Sequence, residues 1–304
     1  MKISLIIPTY NAEEYLPELL ERLKNQTVSF ELIIIDSSSL DNTVTIAREY
    51  TDNIIIIPTS EFDHGGTRTK AVKTASGDII VFLTQDALPY DNNTIAKILE
   101  PFEDLKVGAA YGRQIPYEET SLFGKHLRYF NYTDTSYVRV LRDKEKYGIK
   151  TAFLSDSFAA YRKSTLEEIG YFKDGLIVGE DSYAGAKIIL NDYALAYCSE
   201  AKVYHSHTYT IAEEFKRYFD IGVFHQRENW ILETFGKAEG EGGKYVRSEF
   251  NYLLDKHAYY RIPEFFIRNG MKYLGYKLGY YYQSLPSFII QRFSMHRLWW
   301  EKLL

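Results

Sequence analysis

The chain has 304 residues, 45% of them hydrophobic, with a net charge of −5 and a single cysteine, Cys198. That apolar content excludes a disordered protein, and the acidic balance excludes a general nucleic-acid binder held by phosphate neutralisation. One cysteine excludes an intramolecular disulfide framework and a multi-cysteine metal site, which fits a reducing cytoplasm. A compact apolar run over residues 3–7 reads as a strand, and Leu16, Leu19, Leu20 and Leu23 then recur with helical spacing. Asn11 and Glu14 have the spacing of a capping box that would start this helix. The plan repeats with a strand over 32–35, the loop Asp36-Ser37-Ser38-Ser39 and a helix over 42–50. A strand over 54–57 precedes a helix carrying Lys70, Ala71 and Lys73, with Gly77 as its expected stop. Residues 79–83 are apolar throughout and too few for a helix, so they read as a strand buried on both faces. Pro89 forbids its regular continuation and leaves Asp86 where the chain quits the sheet.

A helix over 95–105 and a strand over 107–111 follow. Residues 116–150 are charged, aromatic and unassigned, a long excursion of the kind that serves as a lid or binding loop. Then come a strand over 157–161, a short helix over 165–169, and a loop over 176–181 feeding a helix with Ala184, Ile188 and Ile189. Strands over 194–198 and 202–204 lead into His205-Ser206-His207. From residue 211 the pattern is helical and tyrosine-rich, with breaks expected at 236–243, Pro263 and Pro286. The expected class is α/β: a mostly parallel central sheet flanked by helices, in a domain over 1–210, with a helical C-terminal region over 211–304. No segment approaches the ~18 apolar residues needed to cross a bilayer, and the first apolar run is too short for a signal peptide.

No Gly-x-Gly-x-x-Gly follows a strand and no Gly-x-x-x-x-Gly-Lys-Ser/Thr occurs, which argues against a dinucleotide oxidoreductase or a P-loop NTPase. Instead the strands end in polar clusters: Thr9-Tyr10-Asn11, Asp36-Ser37-Ser38 and Thr84-Gln85-Asp86. On a parallel sheet these would meet at one edge and form a crevice for a polar ligand. Asp86 suits a hard divalent cation such as Mg²⁺, and an added imidazole would lean the site toward Mn²⁺. The plain alternative is a loop acid that caps the next helix. Glu180-Asp181 is equally what a helix dipole favours at its start. In an extended His-x-His the two rings point to opposite faces, so at most one is expected to reach the site. Paired glycines before Arg68 allow close approach of a ligand, and Arg68 could grip phosphate, although an ordinary glycine turn with a solvated arginine explains the same residues.

Taken together, Ile-Pro-Thr-Tyr-Asn, Ile-Asp-Ser-Ser-Ser, Gly-Gly-Thr-Arg, Phe-Leu-Thr-Gln-Asp and Gly-Glu-Asp, in this order over the first 210 residues, resemble the family 2 inverting glycosyltransferases of GT-A fold. The variants Glu-Phe-Asp-His-Gly-Gly-Thr-Arg and His-Ser-His-x-Tyr look most like the bacterial rhamnosyltransferases that use dTDP-L-rhamnose. The resemblance implies that Pro8, Thr9 and Tyr10 line the nucleobase, that Asp36 hydrogen-bonds it, and that Arg68 and Gln85 lie against the nucleotide. It implies Asp86 as metal ligand, joined by His205 or His207, with Asp181 as general base and Glu180 beside it. Thr84 stands where the family has the first acid of Asp-x-Asp. Inverting transfer needs one carboxylate to deprotonate the acceptor hydroxyl, while a metal-held diphosphate leaves without a protonating acid.

The implied partners are a nucleotide-sugar donor and a glycan acceptor, of which a lipid-linked form is common in the family. Ser287-Phe288-Ile289-Ile290-Gln291-Arg292-Phe293 and Leu298-Trp299-Trp300-Glu301-Lys302-Leu303-Leu304 suit an interfacial helix, packing onto the catalytic domain, or a homodimer contact. The expected location is the cytoplasm, with peripheral contact at the inner face of the plasma membrane. Gln226-Arg227-Glu228-Asn229-Trp230 lacks the spacing of the Gln-x-x-Arg-Trp of processive synthases, so addition of a single sugar is expected. The rival readings are a UDP-hexose donor (galactose or GlcNAc) and a non-catalytic nucleotide-sugar-binding subunit, the latter motivated by Thr84.

Overall fold

The computed structural model describes residues 1–236 and 238–303. Its first half alternates as the pattern requires: β1 (Ile3–Thr9), α1 (Leu16–Lys24), β2 (Glu31–Asp36), α2 (Thr43–Arg48), β3 (Ile54–Ile56), α3 (His64–Thr74) and β4 (Ile79–Leu83). There follow β5 (Leu88–Pro89), α4 (Thr94–Leu99), β6 (Val107–Ile115), α5 (Leu122–Asn131), β7 (Tyr137–Arg139), α6 (Lys144–Tyr147), β8 (Phe158–Arg162), α7 (Lys163–Glu168), α8 (Glu180–Leu190) and β9 (Ala194–Tyr204). The remainder is helical: α9 (Ile211–Arg227), α10 (Asn229–Phe235), α11 (Ala238–Asp255), α12 (Ile262–Tyr280), α13 (Ser287–Phe293) and α14 (Arg297–Leu303).

Among the described residues the strands form one sheet in the order β3-β2-β1-β4-β8-β6-β9-β5, with β7 on β9. β1 to β4 are mutually parallel, so Thr9, Asp36 and the Thr84-Gln85-Asp86 step leave the sheet at the same rim. β8 runs antiparallel to β4 and to β6, pairing Leu83 with Phe158. That reversal brings residues 155–157, just before β8, to the rim as well. β6 and β9 are again parallel to each other, which delivers Gln114 and the residues after Tyr204 to the same place. Side chains alternate between two cores, one containing Leu5, Ile7, Val81 and Leu83 and the other Ile6, Ile33, Ile35, Ile80 and Phe82, so the sheet is covered on both faces.

Several local expectations are corrected. α1 starts at Leu16 without a side-chain cap, because Asn11 (φ 47°) turns away and accepts from the Leu40 amide at 2.9 Å. α3 stops at Thr74, and Gly77 instead lets its backbone lie against Ser4, whose amide would sit 2.5 Å from an added Cβ. The two segments expected at 194–198 and 202–204 are one strand with an irregular register opposite Gly112 and Arg113. Residues 116–150 are built from α5, β7 and α6, with β7 extending the sheet. Gly240, Gly242 and Gly243 lie within α11, so the break is at Gly236 (φ 105°), while Lys237 lies outside the described residues. The break expected at Pro263 is present, with the proline in the first turn of α12.

The helical region wraps back onto the sheet. α12 lies directly on α9: a Cβ at Gly279 would come within 1.9 Å of the Phe219 carbonyl oxygen. No helix among the described residues is long and apolar enough to cross a membrane. Ile290 and Trp300 are buried, and Phe293 packs on Phe215 and Phe219, so much of the apolar surface of α13 and α14 is already covered. Phe288 and Leu298 remain exposed. The chain end reaches the α3 and α8 side of the sheet. The His296 ring packs edge-on against His64, Trp299 Nε1 donates to the Gly175 carbonyl at 3.2 Å, and Lys302 Nζ donates to the Phe62 carbonyl at 3.2 Å.

Candidate active site

Three groups of polar side chains occupy the rim. In the first, Asp36 is wholly buried and its oxygens accept from Thr9 Oγ1 (2.8 Å), the Ser39 amide (2.8 Å) and Ser39 Oγ (2.6 Å). Its charge is spent on holding the loop. Gln85 accepts from the Tyr10 amide at 2.9 Å and donates to the Tyr10 carbonyl at 3.2 Å, locking the β1 and β4 loops together. Tyr10 itself, beyond the half-buried Pro8, is 46% exposed and offers its ring to a ligand.

The second group is Asp86 with both histidines. His205 Nε2 and His207 Nε2 lie 3.4 and 3.6 Å from Asp86 Oδ2. The expectation that only one ring could arrive fails because β9 ends at Tyr204 and the His-Ser-His segment is irregular, free of strand alternation. One donor atom from each residue lies within 4.8 Å of the others, a separation a single cation could span. The donor set fits a borderline divalent ion, and the surroundings support it: His205 Nδ1 pairs with Gln114 Oε1 at 2.9 Å, which turns the Nε2 lone pair toward Asp86. Burial lowers both histidines, His207 to about 4, so neutral imidazoles are available as ligands near pH 7. Burial alone would raise Asp86, but His205, then His207 and Thr84, hold its carboxyl far below the usual range.

The third group surrounds Asp181 in the first turn of α8. Gly179, at φ 84°, turns the chain into this helix, and a Cβ there would meet the Phe224 ring at 2.9 Å. Arg68 is buried, with Nε 2.8 Å from Asp156 Oδ2 and Nη1 3.0 Å from Glu180 Oε1. The guanidinium thus faces two acids, through Nε and Nη1. Burial opposes the charge of Glu180, but Arg68 and His64 outweigh it and keep that carboxylate ionised. Asp181 has no such partner: burial, then Glu180 and Asp156, push it up to about 7. It accepts from the Ser182 amide at 2.6 Å and the Asp156 amide at 3.3 Å.

The second and third groups are joined by a short chain of hydrogen bonds. Gln114, paired with His205, donates through Nε2 to Ser155 Oγ at 3.0 Å, and the next residue's amide reaches Asp181. Asp156 and Gln114 were missed by sequence reasoning. Asp156 is pushed by burial up to about 6 and also accepts from Tyr161 Oη at 2.5 Å. The signal for it, an acid immediately before a strand, reads as functional only once that strand is known to run antiparallel.

Residues 4–170 match the family description "Glycosyl transferase family 2". The chain is 46% identical over its whole length to the O-antigen chain rhamnosyltransferase RfbN of Salmonella typhimurium, covering 97% of that protein. It is also 46% identical over 99% of its length to the O-antigen chain rhamnosyltransferase WbaN of Salmonella anatum, covering 96% of it. Among solved structures, a mannosyltransferase from Pyrobaculum calidifontis in complex with GDP-Man and Mn²⁺ superposes with a TM-score of 0.64 at 16% identity, over 93% of this chain and 88% of that one. The Staphylococcus aureus TarS 1–349 in complex with UDP-GlcNAc gives 0.53 at 19% identity, over 93% and 92%. At these identities the two structures speak to the fold alone, which is GT-A-like. With the motif order, the rim geometry and the full-length relatives in agreement, the chain belongs to glycosyl transferase family 2 and is a glycosyltransferase.

Proposed function

We propose that this enzyme transfers L-rhamnose from dTDP-L-rhamnose to a growing cell-surface polysaccharide, one sugar at a time and with inversion, using a divalent metal. The sugar and acceptor class rest on the names of the full-length relatives. The single structural observation that supports this mechanism is the short relay His205–Gln114–Ser155, with the Asp156 amide on Asp181, which links the Asp86–His205–His207 group to Asp181. Asp181, with a proton affinity near neutrality, accepts the proton of the acceptor hydroxyl, as an efficient general base requires. Glu180 stays charged beside it and raises that affinity. Asp86, His205 and His207 would hold the ion, whose charge offsets that of a departing nucleoside diphosphate. Tyr10 is the surface offered to the base, with Pro8 and Thr9 behind it, and Asp36 and Gln85 keep that loop in place.

A donor panel tests this reading. Purified protein with Mn²⁺ or Mg²⁺ is expected to hydrolyse dTDP-L-rhamnose slowly without acceptor, to stop when the metal is chelated, and to give a product of inverted anomeric configuration by NMR. Preference for UDP-galactose or UDP-GlcNAc would overturn the donor assignment. The C-terminal helices, from α9 on, are proposed to face the acceptor, at the inner membrane surface where that acceptor is lipid-linked, or as a homodimer; vesicle flotation and light scattering separate these.

A further inference from the structure

The three donor atoms of the cation site come from two stretches of chain about 120 residues apart, Asp86 before β5 and His205 with His207 after β9. No sequence pattern makes the two rings converge, since in extended backbone they would point to opposite faces. A third stretch, residues 117–121 between β6 and α5, touches both of the others. It is the opening of the excursion over residues 116–150.

On the histidine side, the His205 amide donates to the Ile115 carbonyl at 3.0 Å, the last backbone bond of the β6–β9 pairing. Residues 206–209 belong to no helix or strand, so side-chain bonds set the ring directions. Ser206 Oγ, between the two imidazoles, accepts from the Tyr117 amide at 3.0 Å and pairs with Thr120 Oγ1 at 2.6 Å. Thr208 Oγ1 accepts from the Ser121 amide at 3.1 Å, and a Cβ on Gly124 would meet the His207 carbonyl at 2.6 Å. With Ser206 drawn toward the start of α5, both rings are left facing Asp86. On the other side, Tyr117 Oη donates to the Asp86 carbonyl at 3.3 Å. Burial, then the charge of Asp86, pushes this hydroxyl up to about 12, so it keeps the proton it donates. The Tyr117 ring stacks on Tyr204, with centroids 5.8 Å apart and planes 21° from parallel, and Tyr204 pairs with Leu88, two residues after Asp86. Tyr117 therefore reaches Asp86 through its side chain and the histidine loop through its amide.

Resting on the metal reading above, we propose that Tyr117 and Ser206 are positioning residues of the cation site, a staple that holds Asp86 and both imidazoles together before an ion binds. Neither side chain is a ligand. Ordering three ligands from separate segments costs conformational entropy, and the staple shifts that cost from ion binding to folding. It also explains why an irregular segment delivers two rings to one carboxylate.

Ser206→Ala and Tyr117→Phe separate the two arms of the staple, and neither readout uses turnover. Calorimetry with Mn²⁺ alone is expected to show binding about 10- to 100-fold weaker in Ser206→Ala, the usual cost of losing a group that orients metal ligands. Tyr117→Phe should weaken it about 2- to 10-fold, the worth of one neutral hydrogen bond. Hydrogen exchange of the metal-free proteins is the second readout. In Ser206→Ala the amides of His205 and Ser121, whose own acceptors are untouched, should exchange faster, while those of β1 and β4 keep their rates. Unchanged Mn²⁺ affinity in both variants would overturn the staple, and so would weaker Mn²⁺ binding accompanied by faster exchange throughout β1 and β4, which marks a loss of general stability. A wild-type chain that takes no Mn²⁺ refutes the metal reading instead; exchange at His205 and Ser121 then decides the staple, and unchanged rates overturn it.

Discussion

Asp156→Asn isolates the electrostatics of the base. Asp181 is raised to about 7 by burial first, then by Glu180 and Asp156, so removing the charge of Asp156 should lower it. The Asp156 amide donates to Asp181 Oδ2 at 3.3 Å, so the two residues are neighbours, and unit charges about 7 Å apart at an effective dielectric of 20 would repel by about 2 kcal/mol. Arg68 sits on Asp156 at 2.8 Å and screens part of this, leaving roughly 1.4 kcal/mol, or one pH unit. The base works deprotonated, so turnover climbs with pH through the Asp181 midpoint. In the wild type the midpoint lies near 7, and about a tenth of the plateau rate remains at pH 6; in the variant roughly half remains. The assay is release of nucleoside diphosphate from saturating donor and acceptor between pH 5.5 and 9, each enzyme normalised to its own plateau. A midpoint that stays at 7 or moves upward would refute the assignment of Asp181 as the titrating base, or of Asp156 as a source of its shift.

Two further changes probe other parts of the rim. Gln114→Leu removes the group that orients His205, and Mn²⁺ affinity measured by calorimetry should fall about 10- to 100-fold, with circular dichroism unchanged. Gly179→Ala forces a side chain into a left-handed turn against Phe224; urea denaturation should show a loss of about 1–3 kcal/mol, with lower activity because the α8 start moves.

The parallel half of the sheet was legible because its strands are short, wholly apolar and separated by helices of 3.6-residue period. Thr9, Asp36, Gln85 and Asp86 followed from the rule that such strands end at one edge. Strand direction in the second half is carried by no side-chain pattern. β8 reads the same in either sense, and only its antiparallel pairing turns Ser155 and Asp156 toward the site. The same limit hid Gln114, whose partners Ser155 and His205 are brought to it by the antiparallel β8 and the parallel β9. The two histidines were identified, but strand alternation was extended two residues too far. Arg68 looked like a free cation because its counter-charges, Asp156 and Glu180, are about 90 and 110 residues away in sequence.

His296, Trp299 and Lys302 rest on the same side of the molecule as Glu180 and Arg68, although nearly 120 residues of chain separate them from Glu180 and well over 200 from Arg68. A nascent polypeptide that has emerged only as far as α12 would already contain every residue named at the rim, yet would lack these contacts. The contacts that His296, Trp299 and Lys302 make with His64, Gly175 and Phe62 therefore form only once these late helices have been made.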